Sequence, residues 1–233
     1  MRQIFVDSRD RVSGTSTDFV IQLPQTLTIE TKAKGRIDNL RVPITIPTVR
    51  TGVNDTLKVN VGGLNYTAIL TQSNYSGPGL AAAVQLALSR TTPGTWQVTY
   101  DANNIAMTMT CSINYQITGG TFGDQLFSHG TYTQVANSYT FNYVPVQGLD
   151  MLYLSSSRFS TLDTVGPNGA HDTLMCAVVT TQFGSVLDAS MPTGVNFEVP
   201  MMTTQQLDFQ LRDRHYNVIS IVPNISFVLL IDE

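Results

Sequence analysis

The chain has 233 residues, 42% of them hydrophobic, enough to bury a sizeable core in one large domain or one domain carrying an insertion. Only 13% are charged, the net charge is −4 and no Lys/Arg run exists, so the basic stripe that nucleic-acid binding requires is excluded. The polar surface must come largely from Thr, Ser, Asn and Gln, which suit exposed strands better than exposed helices.

The N-terminus, MRQIFVDSRD, lacks the apolar stretch of a secretory signal, so a soluble, cytosolically made protein is expected. The run VDSRDRVSGTSTD alternates acids and bases: Asp7, Arg9, Asp10 and Arg11, then Asp18. Interleaved arginines argue against a calcium loop. These charges could pair locally, or dock on a neighbouring subunit, where the planar fork of arginine suits a carboxylate. Residues 1–17 are read as an N-terminal arm, and these five residues as candidate interface residues.

From residue 18 onward nearly every apolar segment alternates with period two, which is strand chemistry. In DFVIQLP, Phe19, Ile21 and Leu23 point one way and Pro24 stops the ladder. A β segment over 35–48 is interrupted by Pro43 and Pro47, which predicts an edge or bulged position. Lys32, Lys34 and Arg36, with Glu30 beside them, read as solvated residues at a loop or strand edge. Leu57, Val59 and Val61 alternate, Gly62-Gly63 offers a tight hairpin turn, and 66–70 runs back.

One helix is expected in GPGLAAAVQLALSR. Pro78 suits a first helical position, and Leu80, Val84, Ala87 and Leu88 form an i, i+4, i+7, i+8 stripe. Trp96, Val98 and Tyr100 then alternate, 101–104 turns, and Ile105, Met107 and Met109 alternate back. Residues 54–118 thus read as hairpin, helix, hairpin: a small α+β unit, either an insertion or part of one continuous domain. Residues 119–148 show no clear period and read as long loops. Strands are expected again over 149–154, 173–181, 195–199, 206–211 and 225–231. The run SFVLLID is apolar on both faces, as a buried central strand should be. Many strands and one helix predict a β-sandwich.

No catalytic constellation survives inspection. The sequence has no GxSxG, HExxH, P-loop or GxGxxG. His129, His171 and His215 are scattered in loop contexts, and His171-Asp172 lacks a marked nucleophile. Cys111 and Cys176 are simplest as buried thiols, with a disulfide left open. A glycan-binding role is the natural competitor: Tyr132, Tyr139 and Tyr143 could line a groove, while Trp96 fits a core position. The apolar run 227–231 is far too short to span a bilayer.

Three stretches together resemble a capsid protein family of virophages, polinton-like viruses and large eukaryotic DNA viruses. The opening FVDSRDRVSGTSTDFVIQLP carries the family's Asp-Ser plus Arg motif, polar spacer and first strand, at Asp7, Ser8, Arg11, Asp18, Phe19 and Leu23. NYSGPGLAAAVQLAL with WQVTYDANNIAMTMT is similar to its helix and following hairpin. LDFQLRDRHYNVISIVPNISFVLLIDE is similar to its closing strands, with Ile225 where tryptophan is common. The resemblance implies an all-β jelly-roll β-sandwich over 18–53 and 119–233, with 54–118 as an inserted α+β unit. It implies a homopentameric penton at the five-fold vertices, contacting double jelly-roll major capsid proteins in the virion, and made in the host cytoplasm or a viral factory. No enzyme activity, cofactor, metal, nucleic acid or membrane span is expected. A minor cement protein, or a glycan- or receptor-binding module of the virion, stands as the alternative.

Overall fold

The computed structural model describes residues 1–123, 135–144, 146, 149–160, 164–181, 183–220 and 223–232. The chain divides into two compact units: Met1–Thr45 with Leu149–Glu233, and Ile46–Gly148. The first unit opens with β1 (Arg2–Asp7), β2 (Arg11–Gly14), β3 (Asp18–Ile29) and β4 (Ala33–Pro43). The second carries β5 (Thr56–Val61), β6 (Leu64–Ile69), α1 (Gly77–Thr91), β7 (Trp96–Asp101), β8 (Ala106–Gly119) and β9 (Ala136–Phe141). The chain then returns to the first unit with β10 (Met151–Ser155), β11 (Thr173–Val178), β12 (Val186–Ala189), β13 (Phe197–Val199), β14 (Met202–Arg212) and β15 (Ser226–Asp232).

The pairing of the first unit defines its fold. One sheet runs β1-β15-β4-β12, with β13 also on β4; the other runs β11-β10-β14-β3-β2. Strands β1, β3, β4 and β10 pair antiparallel with β15, β14, β12 and β11, in reverse chain order. One long hairpin is therefore rolled up into two facing four-strand layers, which is the jelly roll. Pairings β4–β15 and β10–β14 close each layer. The expected arm over 1–17 is thus corrected: β1 is the first jelly-roll strand and β2 extends the second sheet at β3.

Alternation fills the core between the layers. Phe19, Ile21 and Leu23 face in from β3, Leu207, Phe209 and Leu211 from β14, and Phe227, Leu229 and Ile231 from β15. Phe209 joins the layers, with its ring centroid 4.9 Å from Phe227 and 5.8 Å from Phe19. Strand β15 lies between β1 and β4, the central position its apolar run predicted. Strand β4 is bulged and central rather than at an edge. Its bulge centres on Asn39, a residue type that accepts the left-handed φ of 49°, and it shifts the alternation so that Ile37 and Leu40 are both buried. Lys34 and Arg36 therefore sit on a central strand, with Lys34 opposite Glu198 and Asp232; Lys32 Nζ lies 2.5 Å from Glu198 Oε1.

In the second unit, Gly62 and Gly63 both take positive φ, 60° and 87°, as a two-residue hairpin with the strands' own twist requires. Ser76 caps α1, its Oγ accepting from Gly79 N at 3.3 Å, and Pro78 sits in the first turn. Leu80, Ala81, Val84 and Leu88 are buried against the β5-β8-β7 surface with Trp96, Met107 and Tyr115. Ile105 departs from the expected alternation: it occupies the turn at φ 51°. Strand β9, in the stretch read as loops, pairs with β8. The unit therefore extends beyond the expected 54–118, and its core includes Tyr139 and Phe141. Both cysteines are free; Cys111 is buried, but Cys176, expected buried, is exposed because it falls on an outward position of β11.

Candidate interface site

The charged N-terminal run forms one built turn. Strand β1 ends at Asp7, and Ser8–Asp10 makes a single 3-10 turn. Ser8 is the anchor and is fully buried. Its backbone N donates to Ile225 O at 2.9 Å, and its Oγ accepts from Ile225 N at 3.0 Å. Asp7 caps the turn by accepting from Arg9 N at 2.9 Å. The Arg9 guanidinium also clasps Asp7 with both ends of its fork, Nε at 3.0 Å from each carboxylate oxygen and Nη2 at 2.5 Å from Oδ2. That side-chain hydrogen bonding holds the Asp7 carboxyl below its ordinary range, against the opposing effect of partial burial. Arg11 Nη1 donates to Ser8 O at 2.7 Å, which fastens the far side of the turn.

Of the five expected residues, Asp7, Arg9, Asp10 and Arg11 come together on this turn. Asp18 does not; it begins β3 in the other sheet and accepts from Gln210 Nε2 at 3.0 Å. Beside the turn an open groove of about 380 Å³ crosses the outward face of the first sheet, lined by Phe5, Asp7, Asp10, Arg41, Asp188 and Val228. Arg41 Nε lies 3.2 Å from Asp188 Oδ2. Phe5 is 76% exposed, opposite Val228 in the β1–β15 register. The exposed aromatic thus shares the groove with the carboxylates of Asp7, Asp10 and Asp188 and the guanidinium of Arg41, a pairing of apolar anchor and polar rim of the kind that protein contacts use. Sequence reading missed Phe5, Arg41, Asp188 and Val228. The signal for Phe5 was available in IFV, but only to a reader who had already placed 2–7 in a strand.

The fold can be compared with solved structures. The crystal structure of the mavirus penton protein superposes with a TM-score of 0.54 and 8% sequence identity, covering 100% of this chain and 99% of that chain. The fold is a penton-like jelly roll. The sequence itself matches no family model and no curated protein.

The other candidate residues among those described are held by separate partners. His171 Nδ1 donates to Thr164 O at 3.1 Å, while Asp172 accepts from the Tyr216 hydroxyl instead of from the histidine. His215 Nε2 accepts from Arg214 Nε at 3.2 Å. His129 and Tyr132 lie outside the described residues. Tyr139 is buried in the second unit with its ring 5.2 Å from Tyr115, and Trp96 is buried beside them, so neither offers a face to a sugar. Of the two expected glycan tyrosines among the described residues, Tyr143 is the exposed one. Among the described residues no group of three or more His, Cys, Asp or Glu is placed to hold a metal ion, and no helix is long and apolar enough to cross a membrane.

The Asp7–Arg9 pair has a pH signature. A carboxyl whose folded pKa is depressed contributes stability that is present above its ordinary value of 3.8 and lost as pH falls through the lower folded value. Asp7→Asn should lower the thermal midpoint slightly at pH 7, because solvent screens the exposed Arg9 end of the pair, and the difference from the unsubstituted protein should shrink in acid, where the Asp7 carboxyl protonates. Calorimetry at pH 7 and in acid checks this.

Proposed function

We propose that the chain is a non-enzymatic structural protein of a virus shell, a penton subunit that closes five-fold vertices as a homopentamer and contacts double jelly-roll major capsid proteins. One observation carries the reading: the likeness to the mavirus penton protein runs end to end, leaving almost nothing of either chain unmatched. The inserted second unit is therefore part of the likeness as well as the jelly roll. The family resemblance of the opening, middle and closing motifs points the same way, as does the low charge density of the surface.

In this reading the Asp7–Arg11 turn and the Phe5 groove meet a neighbouring capsomer. The turn is already ordered by Ser8, so docking need not fix a floppy arm at about 1–2 kcal/mol per residue. Stable contacts of this kind bury on the order of 1,200–2,000 Å², so the groove would be one part of a larger surface. Co-expression with a double jelly-roll major capsid protein of the same genome, followed by imaging of the particles, tests the proposal. The expected result is jelly-roll density at the five-fold vertices. Density between capsomers away from the vertices would replace the penton by the cement reading.

A further inference from the structure

The second unit's sheet runs β6-β5-β8-β7, with β9 also on β8, and its β6 and β7 edges are treated differently. At the β7 end the helix blocks the edge: Gln85 Oε1 accepts from Val98 N at 2.9 Å. At the β6 end no described strand or side chain does this. The hairpin fixes which backbone groups are left over. Across a two-residue turn, Val61 and Leu64 exchange both hydrogen bonds, and the pattern then alternates, so Tyr66 and Ala68 bond to β5. Leu70 N donating to Asp55 O at 2.8 Å continues the same alternation. Asn65, Thr67 and Ile69 therefore turn their N–H and C=O groups outward, away from β5.

Natural sheets usually blunt such an edge with charge, proline or a cover. The β6 sequence LNYTAI has neither charge nor proline. Instead a groove of about 220 Å³ runs along the edge, between Thr67 and Ile69 on one side and Ala83, Leu86 and Arg90 of α1 on the other. Its apolar contacts face water: Ile69 is 66% exposed and Leu86 51%. Arg90 is its one charged lining residue, no carboxylate lines it, and among the described residues Arg90 has no ion-pair partner. An edge strand flanked by a helix, with a cation between them, is the arrangement that receives an added strand from another chain.

We propose that the β6–α1 groove binds an extended peptide segment of a partner protein, one with alternating apolar side chains and a carboxylate. The segment pairs its main chain with Asn65, Thr67 and Ile69, lays apolar side chains on Ile69 and Leu86, and places its carboxylate on Arg90. The charge requirement follows from a guanidinium with no ion-pair partner among the described residues, and the extended conformation follows from an edge that no described strand covers. This stands independently of the penton reading.

The test uses the full chain, immobilised and panned with a phage-displayed library of random ten-residue peptides. The best-enriched peptide is then synthesised with a fluorescent label and titrated by polarisation. Enriched peptides should alternate apolar residues and carry Asp or Glu. Arg90→Gln should weaken binding at least fivefold. Thr67→Pro should weaken it at least tenfold with the thermal midpoint little changed, because the Thr67 N–H makes no bond to β5 and proline is tolerated at an edge. In the unsubstituted protein the amides of Asn65, Thr67 and Ile69 should exchange more slowly once peptide is bound, a readout that holds even if Thr67→Pro misfolds. Failure to enrich peptides over the bare support, or binding indifferent to both Arg90→Gln and Thr67→Pro, overturns the proposal. So does concentration-dependent protection of the same amides without peptide, accompanied by a dimer in sedimentation, which would make the occupant a second copy.

Discussion

Replacing Phe209 by alanine should be the most damaging single core change in the jelly roll, costing about 3–5 kcal/mol. The side chain is fully buried and meets aromatic rings from both layers: Phe227 from one sheet, Phe19 and Phe159 from its own side. Its loss removes the transfer free energy of the ring and leaves a cavity lined by three other rings that cannot collapse together, since each is held by its own strand or turn. For a chain of this size the thermal midpoint should fall by roughly 6–20 °C. Phe209→Leu retains most of the volume and should cost less than half as much. Calorimetry of the two variants checks the order, and equal losses would show that the ring is not where the layers are joined.

Gly35→Ala should be nearly as severe, for the opposite reason. A Cβ on Gly35 would stand 2.3 Å from Cε2 and 2.4 Å from Cζ of Phe197, with Val199 Cγ2 at 2.9 Å. Neither side can yield cheaply. Gly35 lies in β4, hydrogen-bonded between β15 and β13, and the Phe197 ring is packed 5.9 Å from Phe159. Overpacking of this kind costs about 1–3 kcal/mol, and the tight flanking strands place this site at the upper end. Relief should come from the partner: Gly35→Ala with Phe197→Leu should be more stable than the sum of the single effects by about 1 kcal/mol or more, the mark of two residues sharing one space. Strict additivity of the two would rule out this contact as the cause. Denaturant melts of the four proteins provide the cycle.

The elements written in local chemistry were legible. The Gly62-Gly63 hairpin, the helix with its Leu80, Val84, Ala87, Leu88 stripe (Ala87 half-buried), and the doubly apolar β15 all appear where the residue pattern places them. The all-β class followed from their sum. Strand β1 was not legible, because its outward Phe5 breaks the apolar alternation of Ile4 and Val6 and makes the stretch look aperiodic. Strand β12 is four residues long with only Leu187 buried, too short for a period to show. The nested pairing is not written locally at all: β1 meets β15 across almost the whole chain, and only tertiary structure fixes such a match.

The candidate site was half legible for the same reason. Alternating acids and bases marked Asp7, Arg9, Asp10 and Arg11, and local pairing of Asp7 with Arg9 was one of the two arrangements the charges allowed. The groove residues Arg41, Asp188 and Val228 reach the turn only through the β1-β15-β4-β12 order, so nothing in their own neighbourhoods announces them. Asp18 was grouped with the turn by proximity in sequence, but the chain crosses to the other sheet before it.

The central claim is that this jelly roll assembles with five-fold symmetry. The most direct measurement is the mass of the purified chain by light scattering over a series of concentrations and salt, with negative-stain images of the same samples. The account predicts five-fold rings, with a mass approaching five times 25.5 kDa as concentration rises. A stable dimer or trimer across the series would contradict it.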